Sequence, residues 1–335
     1  MLNIPLGIAA DRWGRRPLLV AGPLVVAIGM LGSAVAPGIW ALAAWRFVAG
    51  IGSAAYMTAA LVYLADIAAP ESRARYLAVN QAALRFGISI GPVVGGLISE
   101  QFGLRAPFFF VAGLAVLATI YGLIRLKETR PLTVQGQSEH RPDWRPLVKS
   151  KPFIAVAAVT FAVFLTRGTT RLTLLPLQAS SEFGISPGGL GMLMSGMAGI
   201  NLALLGPSAW LADRFGRRMA IVPGLIGSAV SLGMFAAADS VESFLIAAGV
   251  LALATSVAGP AAAAFLVDTT PSDMRGRAFG IYRTAGDLGL LIGPPLLGAV
   301  ADAGGFAPAY LINGGVVMLI AIGFFSWGHQ RGSSG

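Results

Sequence analysis

Arg167 and Arg171 stand four residues apart inside the apolar run 153–178, and therefore on one face of any helix formed there. A guanidinium placed within a long apolar helix is costly, and it marks a functional site unless a partner neutralises it. Two like charges one turn apart could hold an anion or set the electrostatics of a proton site. Arg46 poses the same question in the run 40–65, close to one end, where it could also snorkel to the interface. Asp287 is the one acid deep in an apolar run and could carry a proton. Arg283 lies four residues before it, a spacing suited to mutual neutralisation, and Arg85 in the run 76–99 faces the same two readings. Met192, Met194 and Met197 could line an adaptable pocket or simply pack. The chain has no cysteine, and its two histidines, His140 and His329, lie in polar segments. Thiolate chemistry, a His-based metal site and a Ser/His triad inside the apolar runs are thereby excluded, so an enzyme, a metal and a cofactor are not expected.

The elements that must position these charges are membrane helices. Hydrophobic residues make up 56% of the 335-residue chain and charged residues 12%, too little charge to cover a soluble domain of this size. Spans of about 20 apolar residues are expected near 18–36, 40–65, 76–99, 106–125, 153–178, 188–211, 219–238, 242–267, 278–301 and 306–328. The net charge of +9 does not indicate nucleic acid, because 18 of the 24 Lys and Arg lie in alternate connections between spans. Short loops rich in Lys and Arg stay cytoplasmic, which places the segment 125–151 and the C-terminus on that side. Residues 126–152, polar and carrying Pro131, Pro142 and Pro146, read as a linker between an N-terminal half, 1–125, and a C-terminal half, 153–335.

The halves are copies. Gly7-Ile8-Ala9-Ala10-Asp11-Arg12-Trp13-Gly14-Arg15-Arg16 returns as Ala209-Trp210-Leu211-Ala212-Asp213-Arg214-Phe215-Gly216-Arg217-Arg218, with Asp11 and Asp213 separated by 202 positions. At that same offset Asp66 falls on Asp268, Arg73 and Arg75 on Arg275 and Arg277, and Gly87, Gly91, Pro92 and Gly96 on Gly289, Gly293, Pro294 and Gly298. A fixed offset kept by charges, glycines and prolines identifies a duplicated unit. Shifted back by 202, the span 188–211 would begin before Met1 and the span 153–178 has no counterpart, so the reading includes an N-terminal truncation with only the end of one helix, residues 1–9, retained.

The repeated Gly-x-x-x-Asp-Arg-x-Gly-Arg-Arg turn, the two parallel halves and the span count resemble the major facilitator superfamily, and most of all its drug:proton antiporters. The resemblance covers residues 1–328 and implies an all-α membrane protein with the major facilitator fold of two six-helix parallel repeats, here ten full transmembrane helices plus a helix II remnant. It implies a cytoplasmic latch built from Gly7, Asp11, Arg12, Gly14, Arg15 and Arg16, from Asp213, Arg214, Gly216, Arg217 and Arg218, and from Asp66, Arg73, Asp268 and Arg275. Asp11 and Asp213 sit where a carboxylate can meet a helix N-terminus or an arginine of the opposite half. Leu42-x-x-x-Arg46-x-x-Ala49-Gly50-x-Gly52 resembles the family's proton-coupling motif, with Ala49 where glutamine is more usual. Gly87, Gly91, Pro92, Gly95 and Gly96 resemble its antiporter motif, a smooth helix face with a proline bend. The implied function is proton-coupled efflux of small amphiphilic or drug-like compounds by alternating access, with Arg46, Arg167, Arg171 and Asp287 serving substrate or proton coupling. Alternatives that the residues leave open are an organic-anion symporter and a transport-inactive truncated fragment. The implied setting is a monomer in the bacterial inner membrane, partnered by lipid, protons and a small-molecule substrate rather than nucleic acid.

Overall fold

A computed structural model describes residues 14–69, 72–129, 150–270 and 274–329. Among them every regular element is helical. The chain divides into two compact units, Met1–Glu139 and His140–Gly335.

The first unit contains α1 (Arg15–Ala34), α2 (Ile39–Ile67), α3 (Arg73–Phe102) and α4 (Ala106–Arg125). The second contains α5 (Lys151–Thr166), a π-helical segment (Arg167–Leu174), α6 (Leu175–Ser181), α7 (Pro187–Ala203), α8 (Leu205–Phe215), α9 (Arg217–Ala236), α10 (Val241–Thr269), α11 (Arg275–Gly304) and α12 (Phe306–His329). Nine of the described helical runs are long and apolar enough to cross a membrane, and α7 with α8 forms a tenth, bent by 43°. Large apolar side chains such as Ile39, Trp40, Phe109, Leu117, Ile246 and Leu319 are exposed, as a protein solvated by lipid requires.

The duplication reaches into the geometry. Shifted by 202, the bounds of α1, α2 and α3 coincide with those of α9, α10 and α11. Turns repeat as well: Gly14 and Gly216 have φ of 95° and 91°, and Gly103 and Gly305 have 86° and 83°. L side chains avoid that region, so both copies need glycine before α1 and α9 and after α3 and α11. The crossing of α1 and α2 repeats in α9 and α10. A Cβ on Gly22 would lie 2.9 Å from Tyr56 Cβ, and one on Gly224 2.8 Å from Ala258 Cβ, the position equivalent to Tyr56. Small residues let these backbones approach closely, the usual basis of helix association in lipid.

Two departures from the expected spans have local causes. The run 153–178 extends to Ser181 because a π-helical stretch absorbs extra residues before α6 begins. The run 188–211 is not one straight rod: it breaks at Leu204 between α7 and α8. The core of the second unit is extensive, built on Phe153, Ile221, Phe235, Phe244, Leu266 and Tyr310. In the first unit the buried cluster is small, Leu18, Leu19, Ala55 and Ala59.

Candidate functional site

At the N-terminal end of α1 the basic turn is held by two carboxylates. Arg15 Nε lies 3.2 Å from Asp66 Oδ2 at the end of α2, with the arginine side chain only 7% exposed and the aspartate 25%. Glu128, three residues past α4, accepts the backbone N–H of Arg15 at 2.9 Å and of Arg16 at 3.2 Å through its two oxygens. These N–H groups have no partner within their own helix, and a negative charge there also meets the positive end of the helix dipole. Arg16 Nη2 donates to the Leu123 carbonyl at 3.0 Å, and Thr129 Oγ1 donates to Asp66 at 3.5 Å. A Cβ on Gly14 would lie 2.5 Å from Glu128 Oε2, so a side chain there would displace that carboxylate as well as strain the turn.

The second copy keeps the arginine and its acid. Arg217, equivalent to Arg15, pairs through Nε with Asp268 Oδ2 at 3.1 Å and through Nη1 with Asp213. Here the acids are 65% and 53% exposed, so solvent screens the network far more than the Arg15–Asp66 pair. Arg214 lies over Trp210 with its guanidinium carbon 5.3 Å from the ring, and Arg218 over Phe265 at 6.0 Å. Of the expected latch, the structure thus joins Arg15 to Asp66 and Arg217 to Asp213 and Asp268. Gly7, Asp11 and Arg12 lie outside the described residues, as do the side chains of Arg73 and Arg275. Glu128 and Thr129 were missed by sequence reasoning. The signal was an acid followed by a hydroxyl at the close of a half, beside a turn with unpaired helical N–H groups.

The intramembrane charges are spread over several helices. Arg46 on α2 is exposed, with Nη1 3.6 Å from Met30 Sδ on α1 and its guanidinium 5.9 Å from the Phe108 ring on α4. On α11, Arg283 is exposed and Asp287 half-buried; Arg85 on α3 is exposed. Gly87, Gly91 and Gly95 on α3 have open space where a Cβ would stand, among the described residues. Their equivalents differ. Added Cβ atoms at Gly289 and Gly293 on α11 would run into α5, at 2.5 Å from the Phe161 carbonyl oxygen and 2.8 Å from Leu165 Cδ1.

Arg167 and Arg171 both fall in the π-helical segment. Arg167 is exposed, whereas Arg171 is half-buried and its Nη2 donates to the Met194 carbonyl of α7 at 3.3 Å. Behind them lies a buried polar cluster: Thr166, Thr169, Thr170 and Asn313 of α12 are 3%, 0%, 0% and 0% exposed. Thr166 Oγ1 donates to Asn313 Oδ1 at 3.4 Å, and Asn313 Nδ2 donates to Thr170 Oγ1 at 3.0 Å. A lone asparagine in an apolar helix and a Thr-rich stretch opposite were the available signals for this cluster. Among the described residues no group of His, Cys, Asp or Glu could hold a metal ion.

Comparison with known proteins extends the pattern over the full length. The family model described as Major Facilitator Superfamily matches residues 1–178 and again 156–333. The tetracycline resistance protein, class C, of Escherichia coli is 29% identical over 319 residues, covering 89% of this chain and 76% of its own. Multidrug resistance protein 2 of Bacillus subtilis is 26% identical over 320 residues, covering 93% and 79%. A crystal structure of a POT family transporter in complex with a thioalcohol-conjugated peptide superposes with a TM-score of 0.78 at 11% identity, covering 98% and 84%.

Proposed function

Because this chain belongs to the Major Facilitator Superfamily, we propose that it exports small amphiphilic or drug-like compounds in exchange for protons, by alternating access in the bacterial inner membrane. That it is an integral membrane transport protein follows from its apolar spans and its relatives. The observation that carries the finer reading is the arginine–aspartate tie that recurs at one repeat offset, Arg15 with Asp66 and Arg217 with Asp268. A tie kept at the same end of both repeats suits an element that is made in one state and released in another. The latch then comprises these four residues with Gly7, Asp11, Arg12, Gly14, Arg16, Arg73, Asp213, Arg214, Gly216, Arg218 and Arg275. Direction is supported by the glycine–proline pattern from Gly87 to Gly96 and by two relatives whose names state tetracycline and multidrug resistance.

Arg167 and Arg171 provide the electrostatics for substrate or proton, Arg46 serves coupling, and Asp287 belongs to the same substrate or proton-coupling set. Two cations one helical turn apart repel, and one of them is half-buried with a carbonyl partner. Uptake of a compound panel into inside-out vesicles, driven by an imposed proton gradient, tests this function. Arg167→Gln and Arg171→Gln should change transport or its pH profile at unchanged membrane abundance. Normal transport by both variants at every pH would remove the two arginines from the site. Transport that requires an organic anion moving with the proton would replace exchange by symport.

A further inference from the structure

We propose that Asn313 is a positioning residue: its amide bridges Thr166 and Thr170 across the start of the π-helical segment and thereby sets where Arg167 and Arg171 point. This deepens the proposed function of the two arginines and rests on it only for its effect on transport. The two bonds of Asn313 run in opposite senses, accepting from Thr166 just before the π-helical segment and donating to Thr170 within it. Both partners and the amide are buried, so water cannot substitute for either bond.

A π turn is an insertion in an α-helix, with poorer hydrogen bonding, and it persists where neighbouring groups compensate. Four residues do so here. Thr173 Oγ1 donates to the Gly168 carbonyl five residues back at 3.0 Å. Gly168 lets α11 come close, since a Cβ there would lie 3.3 Å from Leu290 Cα, and Gly293 leaves room for the Thr169 hydroxyl, which a Cβ would strike. Asn313 acts from a second helix, α12, through hydrogen bonds to Thr166 and Thr170. If the segment relaxed to α-helix, every residue beyond the relaxed turn would rotate by on the order of 100° about the axis. Arg171 Nη2 would then leave the Met194 carbonyl, and the two arginines would no longer share their present face.

Amide hydrogen exchange on the intact protein in lipid nanodiscs tests this with no residue of the segment replaced by a probe. With Asn313→Leu, of similar size but without the amide, exchange over residues 167–174 should rise about fivefold, as expected from losing an interhelical hydrogen bond, while residues 151–160 of α5 stay unchanged. Thr170→Val removes the acceptor alone and should act in the same direction; it carries the test if Asn313→Leu does not accumulate. Unchanged exchange over 167–174, or an equal rise over 151–160, overturns the proposal. Transport separates the two readings. If exchange over 167–174 rises and the pH profile of transport stays unchanged, the bridge stands and the role of Arg167 and Arg171 in transport falls.

Discussion

Alanine in place of Gly289 or of Gly87 should have opposite effects, although the two positions are equivalent in the repeat. At Gly289 the new Cβ would stand 2.5 Å from the Phe161 carbonyl oxygen and 2.9 Å from Leu165 N, both backbone atoms of α5. Normal contact begins nearer 3.4 Å, so the α5–α11 crossing must open by the better part of an ångström. Overpacking of this kind costs about 1–3 kcal/mol, and backbone that cannot turn aside places it at the upper end. Helix propensity returns about 1 kcal/mol of that loss, leaving roughly 2 kcal/mol of net destabilisation for Gly289→Ala. With about 2–4 °C of midpoint per kcal/mol for a unit of this size, the apparent unfolding temperature in detergent should drop by about 4–8 °C. At Gly87 nothing stands within 4 Å of the added methyl, so propensity acts alone and the midpoint should hold or rise slightly. Differential scanning fluorimetry on matched preparations measures both. Equal shifts for the two variants would refute the reasoning, because they would mean that α3 and α11 carry the same load at these positions.

Three further outcomes follow from the basic turns. Asp66→Asn removes the charge that the sheltered Arg15 meets at 3.2 Å and should lower the midpoint clearly, whereas Asp268→Asn, more than half exposed, should cost under about 1 kcal/mol; the two variants compared by scanning fluorimetry decide it. Glu128→Gln keeps one acceptor oxygen but loses the charge and one of the two N–H bonds, a loss of about 0.5–2 kcal/mol on the scale of N-cap substitutions. It should appear as faster amide exchange at Arg15 and Arg16. Gly14→Ala and Gly216→Ala share the strain of a positive φ, about 1–2 kcal/mol, but the first also displaces Glu128. Gly14→Ala should therefore be the more damaging of the two to stability and to transport.

The helical frame was legible because its signals are additive: twenty apolar residues in a row, a basic turn at each crossing, and one offset that recurs without drift. The starts of α1 and α9 could be read to within a few residues from Gly14 and Gly216, since no other residue type accepts those turns as readily. What escaped depends on partners distant in the chain. The π-helical segment has ordinary helical composition at its edges, and the Asn313 that meets Thr166 and Thr170 lies 143 residues beyond Thr170. The bend at Leu204 did have a local signal in Pro207, which offers no N–H to the Ala203 carbonyl four residues back and crowds it. Glu128 could be seen as an acid in a basic linker, but its carboxylate acts on α1, which begins 113 residues earlier. The glycines of α3 were legible as a smooth face. Which neighbour lies against a smooth face is a tertiary question, and α3 and α11 answer it differently.

That long reach of Glu128 has a consequence for the order of synthesis. The start of α1 leaves the ribosome with its first amide groups unpaired, and the carboxylate that pairs them is translated 113 residues later, after α2, α3 and α4. At about 5–20 residues per second, those groups wait roughly 6 to 23 s for their partner. Over the second half of that interval Asp66 is already made and can meet the Arg15 side chain, but the backbone bonds from Glu128 are still to come. Closure by Glu128 thus comes after α1, α2, α3 and α4 have been translated, and a ribosome stalled before residue 128 would hold a unit whose first turn has yet to be sealed.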